Sequence, residues 1–123
     1  MKITSLNYLP IKKITHNDNY LFIHKLDGYV LVYYAAADCC SSSFIEDFDQ
    51  TWPLIDTTLL SVEKECGHQE DDGNNVLKWT FYKFTTTKGS ATLSFRNESN
   101  GYYNGNLEFS KEVPNHEIEK DQI

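Results

Sequence analysis

The densest run of side chains able to do chemistry is Arg96-Asn97-Glu98-Ser99-Asn100-Gly101-Tyr102-Tyr103-Asn104-Gly105, which holds the only arginine of the 123-residue chain. A guanidinium offers a planar fork of donors suited to carboxylate or phosphate. Asn97, Ser99 and Asn100 add directional hydrogen bonds, and Tyr102 and Tyr103 offer stacking faces that lose little rotamer entropy on binding. A second polar run, Cys39-Cys40-Ser41-Ser42-Ser43, precedes an expected helix. Hydroxyls and free backbone N–H groups there would favour an anion. Together Ser41, Ser43, Arg96, Asn97, Ser99, Asn100, Tyr102 and Tyr103 form a candidate ligand-binding face for a small anionic molecule, provided that the two segments meet in space. The plainer alternative pairs Arg96 with Glu98 or Asp38 and packs the tyrosines as edge-strand aromatics.

Other chemistries have less behind them. Cys39 and Cys40 are candidate reactive thiols, because a helix N-terminus lowers a thiol pKa, and His24 could act as their base. Cysteine is equally a small buried hydrophobe. His16, His24, His68 and His116 lack the spacing of metal ligands, so no metal site is expected. There is no phosphate-binding glycine loop, dinucleotide fingerprint or Gly-x-Ser-x-Gly elbow. The expectation is a non-catalytic protein without cofactor.

A net charge of −7 without a clustered basic run argues against binding to a nucleic-acid duplex. Three cysteines, two of them adjacent, do not make a disulfide framework. No signal-like segment or membrane-length apolar run is present, so the expected setting is the cytoplasm.

The elements that must position these residues follow from apolar patterning. Tyr20 to Leu26 and Tyr29 to Tyr34 flank Asp27-Gly28, the signature of a tight hairpin. Ser43 and Glu46 have capping-box spacing, which predicts a short helix over residues 44–50 with Phe44, Ile45 and Phe48 buried. Strands are expected at Thr57 to Glu65, Val76 to Thr86, Ala91 to Arg96 and Asn106 to Phe109, with an exposed loop over 67–75. Residues 1–19 give no clear pattern, and no internal repeat is visible. The expected fold is a single α+β, mainly β domain over 1–113, with a mostly antiparallel sheet of about six strands and one short helix. Residues 114–123 read as a polar, frayed tail, and exposed strand edges make a homodimer plausible.

Asp38-Cys39-Cys40-Ser41-x-Ser43-Phe44, Thr85-Thr86-Thr87-Lys88-Gly89 and Arg96-Asn97-x-Ser99-Asn100-Gly101-Tyr102-Tyr103 resemble a family of small phage and prophage proteins of unknown function. The resemblance spans Asp27 to Phe109; the chain departs from it at Ala37, where glycine is expected, and at Phe44, where tryptophan is common. It implies an origin in mobile elements and no particular activity. Accessory proteins of that origin often counter host defence, by sequestering a nucleotide-derived signal or by blocking a host protein. The reading is therefore a counter-defence protein that binds a small anionic ligand, with a protein–protein inhibitor and a cysteine-dependent enzyme as alternatives.

Overall fold

The computed structural model describes residues 1–37, 41–71, 73, 75–99 and 105–121. Eight strands form one antiparallel sheet: β1 (Leu9–His16), β2 (Tyr20–Lys25), β3 (Tyr29–Ala37), β4 (Ser41–Phe48), β5 (Thr57–Asp71), β6 (Val76–Thr86), β7 (Gly89–Ser99) and β8 (Gly105–Pro114). The chain is thus mainly β, as expected, but with eight strands rather than about six. The β2–β3 hairpin turns at Gly28, whose φ of 91° is costly for any residue with a Cβ. Asp27 Oδ1 accepts the Tyr29 N–H at 3.0 Å inside that turn. Part of the loop expected over 67–75 is strand, because β5 runs on to Asp71.

The helix expected over residues 44–50 is absent, and β4 occupies the segment. Ile45 and Phe48 are both buried at a spacing of three, which reads as helical in a sequence. Here a β-bulge between them turns both to the inside. The described helix is α1 (Asn115–Asp121), in the tail expected to fray. Its Ile118 is 1% exposed and packs with Phe22, Val30, Val32 and Val113 on the outer face of β2, β3 and β8.

The sheet order is β4-β7-β6-β5-β1-β2-β3-β8. Replacing each strand by its counterpart four places away returns the same order read backwards. Two four-stranded halves are therefore related by an approximate two-fold axis through the β1–β5 pair. Each half is a three-stranded meander whose fourth strand pairs with the other half. Three residues join β3 to β4 and five join β7 to β8. Ala37 lies opposite Gly105, and Ser41 lies opposite Ser99, so the strand ends that flank the two connections are paired with one another. The two edge strands of this order, β4 and β8, come together where a Cβ on Gly105 would meet Ser43, so the sheet curls into a barrel although no ladder joins its edges among the described residues. Its interior is one apolar cluster drawn from all eight strands, including Ile14, Leu21, Tyr33, Ile45, Leu59, Phe84, Phe95 and Leu107.

Candidate functional site

Side chains alternate between the two faces of a strand, so every inward row can be followed from the core outward. On β6 the row Phe84, Tyr82 continues as Thr80 and Lys78. On β7, Leu93 and Phe95 continue as Asn97 and Ser99, while on β5 Val62 continues as Lys64 and Cys66. The register sets these residues side by side: Tyr82 opposite Leu93 and Lys64, Thr80 opposite Phe95 and Cys66, and Lys78 opposite Asn97 and Gln69. Past the layer of Tyr82 and Phe95, the barrel lining changes from apolar to polar.

Strand β4 completes this end, with Ser43 opposite Asn97. Asn97 is 2% exposed, and its Nδ2 donates to Ser43 Oγ at 2.9 Å and to Ser41 Oγ at 3.3 Å. Its Oδ1 is buried without a hydrogen-bond partner among the described residues. Gly105 opens β8 against this cluster. A Cβ added there would overlap Ser43 Oγ and stand 2.7 Å from the Ala36 carbonyl oxygen. Only glycine lets the strands approach so closely.

The two-fold arrangement creates two related gaps, one beside each strand that pairs on a single side. The gap beside β4 is closed by the β1–β2 turn: the Ile45 N–H donates to the Asp18 carbonyl at 2.8 Å. His16 Nε2 lies 3.2 Å from Asp47 Oδ1, and its ring packs edge-on against Phe48. The gap beside β8 is covered at its lower part by the N-terminal turn Ile3–Ser5, which packs against β5 and β8, and is open above it. It forms a cleft of about 620 Å³ lined by Lys64, Cys66, Gly67, Gln69, Lys78, Trp79, Thr80, Gly105, Asn106 and Glu108. At its lower end the Leu107 N–H donates to Tyr82 Oη at 3.0 Å. Burial raises the Tyr82 pKa against the partly offsetting Leu107 bond. The cleft brings two lysine stems, one carboxylate, two amides and a free, exposed thiol at Cys66 to one opening.

Of the residues singled out in the sequence, Ser41, Ser43, Asn97 and Ser99 meet at the polar end of the barrel. Arg96 does not join them. Consecutive residues of a strand point to opposite faces, so Arg96 lies outside between Phe44 and Trp79. Its guanidinium carbon sits 4.3 Å from the Phe44 ring centroid, with Glu98 at 3.4 Å and Glu46 at 3.9 Å. Trp79 Nε1 also donates to Glu46 Oε1 at 3.0 Å. The Arg96 charge is therefore met by carboxylates of the chain itself, as the plainer alternative held for Glu98. The ligand candidates Asn100, Tyr102 and Tyr103 and the thiols Cys39 and Cys40 lie outside the described residues. Lys64, Cys66, Lys78, Asn106 and Glu108 were not singled out. The signal for Lys78 was present, since it shares an alternation with Tyr82 and Phe84. Among the described residues no group of three or more His, Cys, Asp or Glu side chains could hold a metal ion. No described helix is long and apolar enough to cross a membrane.

The chain belongs to the family described as Domain of unknown function (DUF7448), whose model matches residues 4–109. That span takes in β1 through the first half of β8. No curated protein and no solved structure matches the chain.

Proposed function

We propose that this protein is a non-catalytic binding protein that takes a small anionic, nucleotide-sized molecule into the cleft between β5, β6 and β8. One observation supports the reading: Lys64 and Lys78 stand where the inward rows of β5 and β6 reach the polar rim, and both line one cleft. An ammonium group makes short, charge-assisted hydrogen bonds to an anionic guest. The volume of about 620 Å³ lies within the usual range for small-molecule sites. Gln69 and Asn106 supply amide donors and acceptors beside the two ammonium groups. Ser41, Ser43 and Asn97 act behind the cleft, holding β4 and β7 in place next to Gly105. Arg96 has no part in binding the ligand under this reading. The resemblance to small phage and prophage proteins supports sequestration of a nucleotide-derived defence signal as the purpose of such binding, in the host cytoplasm.

Calorimetric and thermal-shift titration with ADP, ADP-ribose and cyclic dinucleotides tests the reading. A ligand at about one hundred times its Kd adds about 2.7 kcal/mol of stability. The expected outcome is saturable stabilisation by at least one of these compounds, lost in Lys64→Gln/Lys78→Gln and kept in Arg96→Ala. Absence of stabilisation by the whole panel, or undiminished binding by the double lysine variant, would overturn the proposal.

A further inference from the structure

The two halves of the barrel differ on their outer faces as well as in their gaps. In the first half the outer face is apolar, and Ile118 of α1 packs over Phe22, Val30 and Val32. The corresponding face of the second half carries Trp79 and Phe81 on β6, half-buried, with Phe44 in the row of Arg96 and Trp79. No described helix packs on it. Its surroundings are acidic: Glu63 and Glu65 stand on the outward row of β5, Glu65 directly opposite Phe81 and Glu63 opposite Lys83. Glu46 is bound to Trp79, and Glu98 shares Arg96 with it. Four carboxylates thus face two cations. Arg96 is held over Phe44 and paired with Glu46 and Glu98, so the net charge of the face stays negative.

We propose that this outer face is a docking surface for a basic amphipathic helix of a partner protein. Such a helix would occupy on β6 and β7 the place that α1 occupies on β2 and β3. Its apolar stripe would cover Trp79 and Phe81, and flanking Lys or Arg side chains would meet Glu65 and Glu46. Laying an apolar helical face into an apolar surface supplies affinity, and charges at the rim supply orientation and choice of partner. By strand alternation the surface lies on the opposite face of the sheet from Lys64 and Lys78, and Trp79 is the residue it shares with the border of the cleft.

The test uses the full chain carrying Trp52→Phe, which leaves Trp79 as the only tryptophan. The probe is a helix-forming peptide of about eighteen residues, long enough to cross the sheet. One version has a leucine stripe flanked by Lys and Arg, and its twin has Glu at every basic position. The expected result is a saturable change in Trp79 fluorescence with the basic peptide and none with the acidic twin. Glu65→Lys, on an exposed residue, should weaken binding by about fivefold or more at low salt with the fold intact by circular dichroism. Lys64→Gln/Lys78→Gln should bind the peptide like its parent, which separates this surface from the cleft. Equal response to both peptides, response to neither, or binding untouched by Glu65→Lys would overturn the proposal.

Discussion

Replacing Gly105 by alanine tests the closest approach in the barrel. The added methyl would overlap Ser43 Oγ, come within 2.7 Å of the Ala36 carbonyl oxygen and within 3.0 Å of Asn97 Nδ2. Ser43 can rotate away, but it then gives up the 2.9 Å bond from Asn97, a loss of about 1 kcal/mol. The Ala36 carbonyl belongs to the β3–β8 ladder, where Ala36 stands opposite Asn106, and it cannot retreat without shifting that pairing. Overpacking of this kind costs about 1–3 kcal/mol. Against this, alanine loses less backbone entropy on folding than glycine, a return of about 0.5–1 kcal/mol. The net expectation is a loss of about 1–3.5 kcal/mol, or a fall in Tm of roughly 4–14 °C for a domain of this size.

Chemical denaturation of four proteins, the parent, Gly105→Ala, Ser43→Ala and the double variant, gives the coupling between the two positions. Removing the Ser43 hydroxyl takes away one of the two clashing partners and leaves Ala36. The double variant should therefore be more stable than additivity requires by about 1 kcal/mol, yet less stable than Ser43→Ala alone. A Gly105→Ala variant within about 0.5 kcal/mol of the parent would refute the close approach of β8 to β4. Strict additivity would refute Ser43 as the obstacle.

Tyr82→Phe should cost about 1–3 kcal/mol by denaturant titration, because the buried Leu107 N–H loses its acceptor. Tyr33→Phe should instead leave stability at neutral pH unchanged or raise it, since the Tyr33 hydroxyl is buried without a partner among the described residues. Burial pushes the Tyr33 pKa up to about 12. Its contribution is fully present below the unfolded-state value near 10 and is lost as pH rises from about 10 toward 12. Alkaline titration should show a shallower decline in Tyr33→Phe than in the parent. Ile118→Ala should cost about 2 kcal/mol or more by opening a cavity over Phe22 and Val32, with hydrogen exchange faster first in α1.

How much of this was legible beforehand depends on how local each determinant is. The β2–β3 hairpin could be read because Asp27-Gly28 and the apolar runs beside it lie within one short window. Strand β6 could be read from its clean alternation over Val76–Thr86. Strand β4 could not, because the bulge gives Ile45 and Phe48 a helical spacing, and Ser43 looks like a helix cap while its hydroxyl in fact serves Asn97. Strand β1 was missed for a related reason: its register shifts between Ile11 and Lys13, which breaks the alternation of the buried Ile11 and Ile14. Ile118 buries against residues about ninety positions away, which a local reading of a polar tail does not see.

The candidate site was legible in part for the same reason. Gathering Ser41, Ser43, Asn97 and Ser99 by composition happened to collect one face of two paired strands. Adding Arg96 to them ignored the alternation that separates Arg96 from Asn97. Lys78 could have been found by extending the Tyr82–Phe84 row, but nothing in the sequence says which end of that row meets solvent inside a barrel. No repeat is visible in the sequence, although the two halves share one topology, because equivalent positions need only be apolar and inward to fold alike.

The approximate two-fold sharpens the functional question by supplying an internal control. Both halves leave a strand paired on one side only. Beside β4, the Ile45 N–H reaches Asp18, and His16 and Asp47 meet across the join. Beside β8, the N-terminal turn covers the lower part of the gap, and above it a cleft of about 620 Å³ stays lined by Lys64, Lys78 and Glu108. One gap is thus sealed by a hairpin of the chain itself, while the other keeps an opening within the usual size of a small-molecule site.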